Sequence, residues 1–251
     1  MTACILKYTF SILTTAILLY FSVLLSAGAW FKYTYKQGVY TFYSNTEILK
    51  PEALVQELKE QLQLCKVYND STPITIYFCD AAATFDFFAK ITGVTLPSQG
   101  FTLAYLNKVF ISKPYIAEVF KSRNNAQKLI PYSVMSGTLE AVVKHELIHA
   151  YVYEFLDVES YANLPFWKQE GYAEYAAHRA LKQRDSLYSF DQRVTLYRNT
   201  DFWGDNMAVK SYFEAGLLVE FLLDQKKLSL QEFFDEKVVF SKTINVLNSE
   251  F

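Results

Sequence analysis

Residues 145–149 read HELIH, so two histidines and a glutamate follow the pattern HExxH. Residues four apart lie about 40° from each other around an α-helix, so His145 and His149 can share one metal ion. Glu146 lies beside these ligands without replacing them. It can take a proton from metal-bound water, which is the general-base role in metalloprotease chemistry. The segment therefore predicts a hydrolytic metal site.

The alternative is an accidental match on a solvated helix face. The chain has only three histidines, and two of them lie in this segment. The flanking residues 141–143 and 150–152 are mostly apolar, which predicts a largely buried helix. Because a buried His-Glu-His cluster needs polar partners, the metal site is the favoured interpretation.

A catalytic zinc site needs a third protein ligand and an open position for water. A metzincin would have glycine at 152 and histidine at 155, but Val152 and Phe155 stand there, which excludes that class. Glu170 is a better candidate for the third ligand than the nearer acidic residues Glu154, Asp157 and Glu159. Pro165 opens a second helix, and this helix can return beside the first and bring Glu170 to the histidines.

Glu174 follows Glu170 by four residues, on the same face of that helix. Metal-bound histidines usually donate their other N–H to a carboxylate, so Glu174 is predicted to accept from His145. Taken alone, two glutamates at this spacing would be interpreted as part of a solvent-exposed acidic helix face. Because HExxH lies close by in the sequence, we prefer to interpret them as a metal ligand and its supporting carboxylate.

The motif HELIH followed by PFWKQEGYAEY at 165–175 resembles the gluzincin metallopeptidases, specifically the peptidase MA-like group with HExxH…PxWxxEGxAEY. The similarity extends from Ile74 to about Leu222. It implies a zinc-dependent peptidase whose metal ligands are His145, His149 and Glu170 and whose general base is Glu146. One departure is Lys168, where the family usually has an apolar residue; it leaves the metal site intact.

The resemblance also implies roles outside the motifs. Residues 100–112 could bind the substrate backbone by edge addition, although an ordinary sheet strand is an equally good interpretation. Tyr212 matches a tyrosine common in MA-like sequences and would stabilise the tetrahedral oxyanion. With 19 tyrosines in the chain, a packing role for Tyr212 stays open. His178 is interpreted as structural.

The elements that must position these residues predict an α+β, zincin-like fold. Strands are predicted over 39–44 and 74–78, and two short strands within 100–112. The second half is predicted to be helical over 138–156, 166–182 and 211–225, with an irregular surface loop at 184–210.

No charged residue occurs from 9 to 31, and a helix of about 20 apolar residues can span a bilayer. The small residues at 27–29 also suit signal-peptide cleavage. We therefore predict a signal anchor or signal peptide at 1–31, with the anchor preferred, and a gluzincin-like domain at 32–251. The protein would be membrane-anchored or exported, with its catalytic domain outside the cytoplasm.

Composition limits the kinds of partner and of covalent cross-link that this protein can have. A net charge of −2 over 251 residues argues against a nucleic-acid partner. Cys65 and Cys79 could form a disulfide or remain buried free thiols. The predicted function is therefore zinc-dependent hydrolysis of peptide or protein substrates. The alternatives are an inactive zinc-binding pseudo-peptidase that serves as a membrane-anchored interaction module, and an anchored structural protein with an aromatic-rich surface.

Overall fold

The computed structural model describes residues 2–48, 50–96, 98–126, 138–179, 189–204 and 207–251. The described chain is α+β: the strands lie in its first half, and the second half is mostly helical. This arrangement confirms the predicted α+β class, while the zincin-like assignment within that class stays a prediction.

Within the described residues, five strands form one mixed sheet. They are β1 (Tyr33–Gln37), β2 (Tyr40–Ser44), β3 (Ile74–Cys79), β4 (Gly100–Leu103) and β5 (Lys108–Ser112), in the order β1-β2-β3-β5-β4. Strands β2, β3 and β5 are parallel, whereas β1 and β4 pair antiparallel with β2 and β5. Strand β4 therefore lies at one edge of the sheet.

The helices surround this sheet and build the C-terminal half. They are α1 (Thr2–Leu25), α2 (Pro51–Leu62), α3 (Ala82–Thr92), α4 (Lys113–Ala126), α5 (Leu139–Phe155), α6 (Val158–Ala162), α7 (Phe166–Arg179), α8 (Phe190–Arg198), α9 (Thr200–Trp203), α10 (Met207–Glu220), α11 (Leu230–Phe234) and α12 (Phe240–Glu250). A turn of π-helix, Phe221–Gln225, continues α10. Helix α5 lies against β4, β5 and α7.

Both faces of the three parallel strands are largely buried, whereas β1 at one edge is mostly exposed. Because successive side chains of a strand point to opposite faces, Ile74, Ile76 and Phe78 pack with α2 and α5, whereas Tyr77 and Cys79 pack with α3. Cys65 belongs to the first of these clusters and Cys79 to the second. Both are buried thiols that form no disulfide, so the disulfide interpretation is wrong.

The apolar N-terminal run is not one helix, because α1 ends before the run does. Leu24, Ala27 and Phe31 are buried beside α3 and the sheet. The Lys108 ammonium donates a hydrogen bond to the Leu24 carbonyl at the end of α1. Within the described residues, none of the helices combines the length and the apolar character that crossing a membrane requires. The predicted transmembrane helix is therefore not supported.

The region predicted as an irregular loop is helical where it is described, in α8, α9 and the start of α10. Phe190, Val194 and Trp203 bury apolar side chains, and Ser189 opens α8 with a capping box. Tertiary packing thus fixes helices too short to show a clear periodicity. Residues 180–188, which include the predicted end of the 166–182 helix, lie outside the described residues.

Helices α7 and α10 approach closely because glycines lie at their contact. A Cβ added at Gly171 would lie 2.6 Å from the carbonyl oxygen of Ala215, which is a backbone atom. At Gly216, an added Cβ would lie 3.2 Å from the Cβ of Glu174. A side chain at 171 would therefore force the helices apart.

We expect Gly171→Ala to destabilise the chain by about 1–3 kcal/mol, which is typical of overpacking. Alanine is intrinsically the better helix former, so a loss would report the steric contact alone. Urea unfolding of the full chain measures the change. Gly216→Ala is the matched control, with a smaller expected loss; equal stability of Gly171→Ala and wild type would contradict the prediction.

Candidate metal centre

Helix α5 carries the HExxH residues and is held firmly. Its first turn is capped by Thr138, whose side-chain oxygen accepts a hydrogen bond from the Ala141 N–H. All residues from 141 to 152 are buried, because sheet and helices cover every side of the helix. His145 and His149 therefore have little freedom to move apart.

Three predicted ligands converge between α5 and α7. The Nε2 atoms of His145 and His149 lie 3.1 Å apart. The Glu170 Oε2 atom lies 3.1 Å from Nε2 of His145 and 3.5 Å from Nε2 of His149. This group could hold a metal ion, because each residue directs one ligand atom to a shared centre.

The electrostatics of the centre favour a cation. Burial would lower the pKa of His145, but the carboxylates of Glu170, Glu174 and Glu146 raise it to about 9. Burial would raise the pKa of Glu170, but His149 and His145 hold it far below its usual range. Buried carboxylates in such proximity need a compensating positive charge, which protons or a metal ion can supply.

Glu174 lies where the sequence predicted it, behind the first histidine. Its Oε1 atom is 3.8 Å from Nδ1 of His145, slightly beyond hydrogen-bond distance. Nδ1 itself is buried and has no hydrogen-bond partner among the described residues. The two atoms face each other, so a small movement would form the predicted bond; the role of Glu174 stays a prediction.

The carboxylate of Glu146 lies between the histidines and edge strand β4. Its Oε2 atom accepts a hydrogen bond of 2.8 Å from the Thr102 hydroxyl. Burial raises the pKa of Glu146, against the opposing effects of His145, His149 and this hydrogen bond. A raised pKa brings a carboxylate closer to the range in which it can both accept and return a proton.

Two tyrosines lie close to these charges. Burial raises the pKa of Tyr212 on α10, and the charges of Glu170, Glu146 and Glu174 raise it further. Burial and the charges of Glu170 and Glu146 act in the same way on Tyr161 of α6. Tyr212 is thus near the centre, as expected, and its catalytic role stays a prediction.

Sequence reasoning missed Tyr161 and Thr102. Tyr161 lies in the sequence between the two helices that carry the motifs, and this position was the only feature of the sequence that could have indicated a role at the centre. Thr102 lies on the strand considered for substrate binding, but its contact with Glu146 depends on packing across 44 residues. No periodicity or motif could have identified that contact.

Lys168, the departure from the family motif, is buried on the other side of α7. Its ammonium donates a hydrogen bond of 2.7 Å to the Asp235 carbonyl and lies over the rings of Trp167 and Phe233. The residue therefore ties α7 to the C-terminal helices. The side chain of His178 lies outside the described part of the chain.

Comparison with known proteins found no matching family model, no matching curated protein and no matching solved structure. What the chain itself offers is the chemistry of this centre: two imidazoles and a carboxylate that could hold a metal ion, beside the buried Glu146.

Proposed function

We propose that this chain is a zinc-dependent metallopeptidase of the gluzincin type, with a zincin-like fold. The observation that carries the proposal is the convergence of His145, His149 and Glu170 from two helices, with Glu146 alongside. The HExxH motif and the resemblance to PxWxxEGxAEY support the same function.

Zinc fits the donor set better than Mg²⁺ or Ca²⁺ does. Two imidazoles and one carboxylate are the protein ligands of many catalytic zinc sites, whereas Mg²⁺ and Ca²⁺ prefer oxygen ligands alone. In tetrahedral zinc coordination, ligand atoms about 2.0–2.1 Å from the ion lie about 3.3 Å from one another. The observed separations of 3.1, 3.1 and 3.5 Å agree with that value.

The residues divide the work of peptide hydrolysis. Zinc held by these ligands would act as a Lewis acid on the scissile carbonyl and would acidify the attacking water. Glu146 accepts the proton from this water and then delivers it to the leaving amine. The hydroxyl of Tyr212 donates a hydrogen bond to the developing oxyanion.

The decisive experiment measures metal and turnover together on the full chain. We expect one zinc per chain by elemental analysis. We also expect cleavage of a fluorogenic peptide library that stops on chelation and returns with added zinc. A chain without stoichiometric zinc would overturn the proposal. Zinc without turnover would favour the interaction module that is its main alternative.

Tyr212→Phe is expected to lower kcat by about 10²-fold with little change in KM, because the lost hydroxyl acts mainly in the transition state. Steady-state kinetics of the zinc-loaded chain measure both constants. Tyr161→Phe is the matched variant, since its hydroxyl lies near the same carboxylates. A loss confined to Tyr161→Phe would contradict the assignment to Tyr212.

A further inference from the structure

We propose that Thr102 is a positioning residue for the general base, holding the Glu146 carboxylate in the orientation that proton transfer needs. This inference rests on the proposed function, because it assigns Glu146 that role. It concerns a residue that neither the motif nor the metal geometry identifies.

The contact between the two residues is specific. The Thr102 hydroxyl lies 2.8 Å from Oε2 of Glu146 and also 2.8 Å from its backbone carbonyl oxygen. A threonine hydroxyl carries a single proton, so these two acceptors share one donor. The hydroxyl therefore orients the carboxylate relative to the backbone of its own helix.

Strand β4 also provides the space for Glu146. A Cβ added at Gly100 would lie 2.9 Å from Cγ and 3.0 Å from Oε1 of Glu146. Positions 100 and 102 share one face of the strand, while Phe101 and Leu103 bury the other face. Gly100 thus leaves room for the carboxylate, and Thr102 binds it.

The arrangement has a chemical consequence for the reaction. A glutamate has three rotatable side-chain bonds, so without a partner its carboxylate could turn away from the metal ligands. Glu146 is buried, and its carboxylate is close enough to His145 and His149 to interact with their charges. One hydrogen bond from a rigid strand is enough to select the productive orientation, and a misplacement of about 1 Å can cost about 10²-fold in rate.

Kinetics of Thr102 variants form the first test. Thr102→Val keeps the side-chain shape and removes the hydroxyl. We expect kcat to fall about 10–100-fold, with KM changed less than about threefold and zinc content unchanged. Thr102→Ser keeps the donor and should restore kcat to within about fivefold of wild type. Thr75→Val is the matched control, because Thr75 faces the opposite side of the same sheet.

A double-mutant cycle on unfolding tests the contact without any need for turnover. We expect Thr102→Val to change the unfolding equilibrium constant about tenfold more in the wild-type chain than in Glu146→Ala, because only the former loses a hydrogen bond to a carboxylate. Equal changes in the two backgrounds would overturn the inference, whatever the activity. If the wild type hydrolysed peptides and Thr102→Val were equally active, the role of Thr102 would be overturned and the proposed function would stand. Coupling in a chain that hydrolyses nothing would overturn both.

Discussion

Glu146→Gln is expected to remove most of the peptide hydrolysis while one zinc ion per chain remains bound. Glu146 is not among the three residues that could hold the metal, so its replacement leaves them in place. Gln is nearly the same size and its amide oxygen can still accept the bond from Thr102. A neutral amide cannot take a proton from the attacking water, however. The expected loss in kcat is about 10²–10⁴-fold.

The measurement pairs elemental analysis with turnover of the same preparation. Glu154→Gln is the control, because Glu154 is an exposed residue on the same helix, away from the metal ligands. It should leave both zinc content and kcat within about twofold of wild type, as surface substitutions commonly do. Turnover by Glu146→Gln within tenfold of wild type would show that another group accepts the proton.

The elements that carry the centre could be predicted because local pattern and tertiary structure agree there. The apolar flanks of HELIH predicted a buried helix, and α5 is buried throughout residues 141–152. Pro165 predicted the start of the second helix, and α7 begins at the next residue. The spacing of His145 and His149 on one helix, together with the motif resemblance that includes Glu170, therefore anticipated their convergence.

Elements whose stability comes from distant contacts could not be predicted in this way. Strand β1 has an exposed side-chain pattern, and its definition depends on pairing with β2. Helices α8 and α9 are short and depend on burial of residues such as Phe190 and Trp203. The end of the N-terminal apolar run is a related case, because hydropathy alone does not show that Leu24 and Ala27 pack into a core.

The positioning of the candidate base depends on the same kind of distant contact. Nothing in the sequence around Thr102 or Gly100 indicates that both residues face Glu146. The metal ligands follow a motif because their spacing along helices sets their geometry. The residues that position Glu146 lie on a different element, strand β4, so their contacts with it can be recognised only in the three-dimensional structure.

Glu170→Gln is expected to remove zinc binding rather than catalysis alone. The variant keeps two imidazoles but replaces a charged ligand with a neutral amide. Loss of a hydrogen-bonding partner behind a metal ligand typically weakens binding about 10–100-fold, so loss of the ligand itself should cost more than about 100-fold. The charge balance acts in the same direction, because Glu170 is one of three carboxylates around the histidines.

Thermal unfolding with and without chelator measures this effect without reference to activity. A metal that binds only the folded state raises the free energy of unfolding by an amount that grows with the logarithm of its affinity, so chelation should lower the wild-type melting temperature. The melting temperature of Glu170→Gln should be unchanged by chelation, because there is no bound zinc to remove. Competition with a chromogenic zinc chelator gives the two dissociation constants directly.

Glu174→Gln distinguishes the role of the proposed ligand Glu170 from that of Glu174, which lies behind His145. Glu174 lies one turn further along α7 and faces Nδ1 of His145 at 3.8 Å, whereas Glu170 contacts both Nε2 atoms. Its replacement should therefore weaken zinc binding by about 10–100-fold without abolishing it. If Glu170→Gln bound zinc as tightly as wild type, a different residue would have to supply the third ligand. If Glu174→Gln caused the larger loss, the order of the two glutamates around His145 would be reversed.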